Sequence, residues 1–280
     1  MYEFETPEPI TVRSRSGAGT VQVMAADVTT TTVELTALRG GDDERRAIDE
    51  ATVVHSGDAI NVDIARERHG IFKSKPRIGV AIVVPTGSVV TIEADSADVS
   101  TAGLLKALRV KAGSGDVSVE RAEQDTDIKA GSGDVQIGTG NGRVAAVSGS
   151  GDISVGETDG TTMLSTGSGS VTTDRALGNF TAKTGSGDIV VREGAGELTM
   201  KAGSGDLSVT AVSEGSVNAK TGSGSVDIAV TAGTAAWLDL NTVTGSVRNR
   251  LDDATGPDPD EKTVELRVKT ATGDISISRA

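Results

Sequence analysis

Cysteine is absent from this 280-residue chain, which excludes a disulfide framework, a thiolate metal site and a cysteine nucleophile. Aromatic residues are nearly absent: Tyr2, Phe4, Phe72, Phe180 and Trp237 are the whole set, so the interior has to be filled by small and β-branched side chains. No stretch approaches the ~18 consecutive apolar residues of a membrane-spanning helix. The start, MYEFETPEPI, lacks the basic and then apolar pattern of an export signal, so no membrane span and a cytoplasmic location are expected. Positive charge is short as well. Lys and Arg number 27 against 40 Asp and Glu, a net charge of −13, which argues against broad nucleic-acid binding because phosphate neutralisation needs a clustered positive surface. With 36% hydrophobic residues the chain can still bury a core.

What is abundant is glycine, and it recurs on a period. The tripeptide GSG begins at Gly113, Gly131, Gly149, Gly167, Gly185 and Gly203, each 18 residues after the last. A seventh copy begins at Gly222, one residue late, with the extra residue falling near AVSEG. Ala97 and Asp98 stand 18 residues before Gly115 and Asp116 as a degenerate earlier copy. TGSV (Thr244–Val247) and TGDISI (Thr272–Ile277) look like two later copies separated by an insertion.

Within a unit the order is strand, glycine bend, strand, loop. The segment after the bend alternates, as in Val117-Ser118-Val119 and Ile153-Ser154-Val155, which is the period of a half-buried strand. Glycine frequency and period-2 alternation both oppose helix. A fixed unit whose apolar columns repeat can bury them by stacking each coil on the last, so the expected fold is all-β, a single-stranded β-solenoid with 18-residue coils; an antiparallel meander sandwich is the alternative. The left-handed hexapeptide helix of acyltransferases fails, because its six-residue aliphatic positions would hold Val117, Glu123 and Lys129.

In a solenoid the two bend glycines of each coil leave no room for Cβ, and the bend is expected to need positive φ. These pairs are Gly113 and Gly115, Gly131 and Gly133, Gly149 and Gly151, Gly167 and Gly169, Gly185 and Gly187, Gly203 and Gly205, and Gly222 and Gly224. The serine between them, from Ser114 to Ser223, reads as a small internal hydroxyl bonded to its stacked equivalent.

Three parts follow from the texture: irregular β coils and a cap over 1–95, the regular solenoid over 96–230, and irregular closing coils over 231–280. DDERRAIDEA, with Asp42 or Asp43 as N-cap, predicts a short helix in the first part.

The segments ITVRSRSGAGTVQV, AIVVPTGSVVTIEADSADVS, KAGSGDVSV and KTATGDISISRA resemble the bacterial β-strand-repeat family catalogued as a "putative adhesin" domain of unknown function. The resemblance covers nearly the whole chain. It implies a β-solenoid and, for some relatives, a link to envelope stress or surface association; it brings no catalytic residues with it.

Two side-chain sets are candidate sites. Asp98, Asp116, Asp134, Asp152, Asp188 and Asp206, with Asp274 as an extension, form a ladder down one edge. One reading is calcium bound between coils. The other is structural, since Ser170 and Ser225 occupy the same column and are poor calcium ligands. Lys111, Lys129, Lys183, Lys201 and Lys220 stand five residues before the aspartate position of their coils, which suggests that opposite charges interleave across the bend. Paired catalytic carboxylates do not fit a uniform ladder, and G-x-S-x-G and a phosphate-loop lysine are absent, so no enzyme and no cofactor are expected.

The second set is the basic stretch Arg66, Arg68, His69, Lys73, Lys75 and Arg77 around Phe72, read as an exposed loop or as a docking loop for an anionic partner. The functional expectation is a non-catalytic interaction scaffold with a protein partner, the alternative being an ion- or polyanion-binding module. Partner and oligomeric state are not encoded in any motif.

Overall fold

The computed structural model describes residues 1–64, 76–251 and 261–280, most of them in strands. Two compact units divide the chain, Met1–Thr139 and Gly140–Ala280.

The first unit contains β1 (Tyr2–Glu5), β2 (Thr11–Ala26), β3 (Thr30–Ala37), α1 (Asp42–Asp49), β4 (Thr52–Ser56), β5 (Ala59–Asp63), β6 (Arg77–Pro85), β7 (Val89–Leu105), β8 (Ala107–Ala112), β9 (Val117–Ala122), β10 (Thr126–Ala130) and β11 (Val135–Gly140). From β7 onward each strand pairs in parallel with its equivalent one coil away: Val99 meets Val117, and Leu108 meets Thr126. Strand β2 lies between two other coils, pairing in parallel with β5 and β6 on one side and with β7 on the other. The β5–β6 coil is then covered by antiparallel strands, β4 on β5 and β3 on β6, with β1 antiparallel to β3. Antiparallel partners of this kind close an edge that a parallel coil would leave open.

Helix α1 forms where DDERRAIDEA predicts it, but Gly41 is its N-cap and Asp42 and Asp43 lie in its first turn. The physical reason is Glu44, whose carboxylate reaches back to accept the Gly41 N–H at 2.9 Å.

The second unit contains β12 (Val144–Ser148), β13 (Ile153–Thr158), β14 (Thr161–Thr166), β15 (Val171–Ala176), β16 (Asn179–Ser186), β17 (Ile189–Ser204), β18 (Leu207–Ser223), β19 (Val226–Val230), β20 (Thr234–Thr244), β21 (Val247–Asn249), β22 (Lys262–Thr272) and β23 (Ile275–Arg279). Its equivalent strands also pair in parallel, β13 with β15, β14 with β16 and β17 with β18 among them. Parallel register throughout the repeat excludes the meander sandwich and makes the fold a β-solenoid. The extra residue before Gly222 is absorbed by a register shift between Gly194 and Ala195 opposite β18. At the end of this unit the coils are stacked out of sequence order. Strands β22 and β23 lie between β18–β19 and β20–β21, so the last coil of the sequence is not the last of the stack.

The core is made of stacked aliphatic columns. Val117, Val135, Ile153, Val171, Ile189, Leu207, Val226 and Ile275, which share one position of the repeat, are each at most 1% exposed. Among the described residues, Phe180 is the single aromatic in this core, in the column that holds Val144, Thr162 and Leu198 in other coils. Burying such columns supplies the stability that a chain with few large side chains needs. Among the described residues, no helix is long and apolar enough to cross a membrane.

Candidate functional site

The bend glycines are required by sterics. A Cβ on Gly115 would fall on the carbonyl of Ala97 one coil back, and one on Gly133 on that of Gly115; Gly169, Gly187, Gly205 and Gly224 face their predecessors in the same way. The expectation of positive φ holds at fewer sites. Among these second glycines it is found at Gly205 (146°) and Gly224 (150°), whereas Gly115, Gly133, Gly151, Gly169 and Gly187 have no such conformation.

The bend serines are also placed differently from expectation. Ser114, Ser132, Ser150, Ser168, Ser186, Ser204 and Ser223 are exposed at the apex. The internal hydroxyl comes from the residue just before the first glycine. Ser148 Oγ accepts the Gly151 N–H at 2.9 Å. Thr166 Oγ1 accepts the Gly169 N–H at 3.2 Å and donates to the Gly151 carbonyl at 2.8 Å. Thr184, Thr221 and Thr270 donate in the same way to Gly169, Gly205 and Gly224 at 2.8, 2.9 and 3.0 Å. Alternation along the strand puts this residue inside and the serine outside. The Ser/Thr recurrence at 148, 166, 184 and 221 was the available signal.

The aspartate column is a hydrogen-bonded ladder. Asp98 Oδ1 accepts the Asp116 N–H at 3.2 Å, and Asp116 Oδ1 accepts that of Asp134 at 2.9 Å. In the second unit Asp152 serves Ser170 at 2.8 Å, Asp188 serves Asp206 at 2.8 Å and Asp206 serves Ser225 at 2.7 Å. Ser170 fills the column because its Oγ also accepts, from the Asp188 N–H at 3.3 Å. Asp274 accepts the Ser246 N–H at 2.8 Å and lies 3.1 Å from Arg248 Nη1. The Ser246 backbone N–H, with Arg248 adding to it, holds the Asp274 carboxyl below its ordinary value. No group of three or more His, Asp or Glu side chains with metal-site geometry occurs among the described residues.

The outward column before the bend behaves differently in the two units. In the first, Asp63, Arg15, Glu93 and Lys111 are stacked in register, with Lys129 next to Lys111. Their signs alternate as far as Lys111 and they pair: Arg15 with Asp63 at 3.8 Å and Glu93 at 3.4 Å, and Lys111 with Glu93 at 3.8 Å. In the second unit, the equivalent position holds Lys183, Lys201, Lys220 and Lys269 in consecutive register. All four are exposed, and among the described residues none has an ion pair or a hydrogen bond from its side chain. The interleaving of Lys with the aspartate ladder is thus not realised as contacts, because the bend turns the two columns onto different faces. Like charges one coil apart, ~4.8 Å, repel by about 1 kcal/mol in water and about 3 at an effective dielectric of 20.

Of the basic stretch, Arg66, Arg68, His69, Phe72, Lys73 and Lys75 lie outside the described residues. Arg77 opens β6, where its backbone N–H points to Glu44 Oε1 at 3.4 Å and its carbonyl accepts the Leu38 N–H at 3.0 Å.

No curated protein matches the chain. Among solved structures, a Parabacteroides distasonis protein described as a "Putative lipid binding protein" is 15% identical, with a TM-score of 0.47 over 100% of this chain and 95% of its own. A "putative adhesin" of Bacteroides fragilis is 12% identical, with a TM-score of 0.35 over 99% and 95%. A "putative cell adhesion protein" of Clostridium sporogenes is 7% identical, with a TM-score of 0.22 over 100% and 98%. The Toastrack DUF4097 family model matches residues 10–189 and again 139–280. Together the two matches span all but the first nine residues, and the chain belongs to the Toastrack DUF4097 family.

Proposed function

We propose that the protein is a non-catalytic interaction scaffold, a β-solenoid that displays the same side-chain position coil after coil to a protein partner. The reading is carried by how its polar groups are used. The aspartates cap backbone N–H groups, the inner threonines bridge the bends, and the outward columns are left to face solvent in fixed register. Such a surface is already ordered before a partner arrives, so binding need not order it. A place in envelope-stress or regulatory signalling is supported by the family resemblance. The basic stretch from Arg66 to Arg77 is the contact that charge alone recommends, since it concentrates cations in a chain of net charge −13.

The test is affinity capture with the full chain from native extract, beside a variant in which Arg66, Arg68, Lys73, Lys75 and Arg77 are serine. A protein recovered reproducibly with the native chain supports the scaffold, and its loss with the variant puts the contact on that stretch. Recovery of nothing above background counts against a protein scaffold.

A further inference from the structure

Among the described residues, the four-lysine column of the second unit makes no side-chain ion pair or hydrogen bond. The aspartate ladder is also a column of like charge, but its carboxylates are occupied by backbone N–H groups. The equivalent position in the first unit alternates signs and forms ion pairs. Lys183, Lys201, Lys220 and Lys269 have neither arrangement.

Their surroundings on the same sheet face indicate the kind of anion that would meet them. Two residues back along each strand the column reads Thr181, Thr199, Asn218 and Arg267, and Arg267 is already paired with Glu265 at 2.6 Å. Glu197 and Glu265 stand four residues from the lysines, ~13 Å along a strand and beyond the ~8 Å screening length at physiological salt; Glu265 is in register with Trp237, where Arg267 neutralises it, and Asp239 is in register with Arg267. Large apolar side chains are exposed on this face on either side of the lysines in the stack. Val147 and Met163 are 46% and 42% exposed in the two coils before Lys183, and Trp237 is 57% exposed in the coil after Lys269. Val147 continues the lysine column, Met163 lies two residues back along its strand and Trp237 four, so the face offers cations on one side and apolar side chains beside them, which suits an interface with charge at its surface and hydrocarbon beneath it. Bases or sugars would call for aromatic platforms among the cations, and the positions between these lysines hold none.

We infer that this face of the second unit docks on the surface of an anionic lipid bilayer, with Lys183, Lys201, Lys220 and Lys269 over the headgroups and Trp237 at the interface. The inference is independent of the protein-partner reading. Net charge of −13 repels the rest of the chain from such a surface, so the lysine column also sets the orientation of approach.

The experiment is co-sedimentation of the full chain with vesicles of phosphatidylcholine alone and of phosphatidylcholine with phosphatidylserine, at low and physiological salt. Emission from Trp237, the one tryptophan of the chain, is followed in parallel. Binding is expected only with phosphatidylserine, weakening with salt, and with a blue shift of the emission. The decisive variant is Lys201→Glu with Lys269→Glu, which gives the column the alternating signs of the first unit and should fold at least as stably. At about fivefold per lysine, cancelling the column lowers vesicle affinity by on the order of several hundredfold. Lys201→Gln with Lys269→Gln should weaken binding less, by on the order of 25-fold.

Equal binding to both vesicle types would overturn the inference, as would a folded glutamate variant that binds like the native chain. Capture by heparin without binding to phosphatidylserine vesicles would also overturn it, in favour of a soluble polyanion. None of these results bears on whether a protein is captured from extract, so the two readings can fail separately.

Discussion

Asp116 hands its carboxylate to the next coil: Oδ1 accepts the backbone N–H of Asp134 at 2.9 Å, 18 residues on. The side chain that gives the repeat its acidic edge thus acts as a bond between coils.

A structural ladder predicts how this position responds to change. Asp116→Ala should cost up to about 1 kcal/mol, because the Asp134 N–H it abandons is near solvent, and Asp116→Ser should cost less because the hydroxyl still accepts. Melting temperature should be the same in excess calcium and in chelator. A rise with calcium would mean that the carboxylates also bind the ion.

The bends make a sharper contrast. Gly133→Ala places a methyl on the Gly115 carbonyl and should cost about 2 to 4 kcal/mol, while Ser132→Ala at the exposed apex should change stability by less than about 0.5 kcal/mol. Denaturant unfolding of the two variants measures both, and equal effects would refute the steric account.

Thr166 bridges two bends through one hydroxyl. Thr166→Val leaves the Gly169 N–H and the Gly151 carbonyl without that partner and should cost about 1 to 3 kcal/mol, whereas Thr166→Ser keeps both bonds and costs less. Comparing the unfolding midpoints of the two variants decides the point.

Asp274 gives a pH dependence of known sign. Its carboxyl is held below the ordinary 3.8 by Ser246 and Arg248, so its contribution to stability is present from above 3.8 through neutral pH. It is lost as pH falls below 3.8 through the folded-state value. Asp274→Asn should therefore be less stable than the native chain at pH 7 and should converge with it in acid; an unchanged gap would contradict the assignment.

Much of the fold is legible in the chain because it is local. The spacing of Gly113, Gly131 and Gly149 sets the coil length, and alternation such as Val117-Ser118-Val119 sets which side chains face inward. The helix at Asp42–Asp49 is legible for the same reason, although the cap expected at Asp42 or Asp43 is Gly41, since Glu44 rather than an aspartate makes the capping bond. Lying between two obligatory glycines, the bend serines read as internal from the sequence, yet they are exposed. The phase of the strand before the bend puts Thr166 and Thr184 inside instead.

The charge columns were half legible. Spacing identified Lys183, Lys201 and Lys220 as equivalent, but five residues across a bend carry a side chain to another face, so the expected balance with the aspartates is not made. Lys269 joined the column only through the pairing of β22 with β18.

The sequence by itself determined the coil length, the composition of the core columns and the need for glycine at the bends, because each depends on residues a fixed distance apart. Tertiary structure alone decided the order of coils at both ends, with β2 between the β5–β6 coil and β7, and β22–β23 between β18–β19 and β20–β21. Any parallel edge offers the same N–H and C=O pattern, so which edge a strand joins is settled by side-chain packing between distant segments. In the second unit that choice brings Lys269 beside Lys220 and leaves Trp237 exposed on the β20–β21 coil.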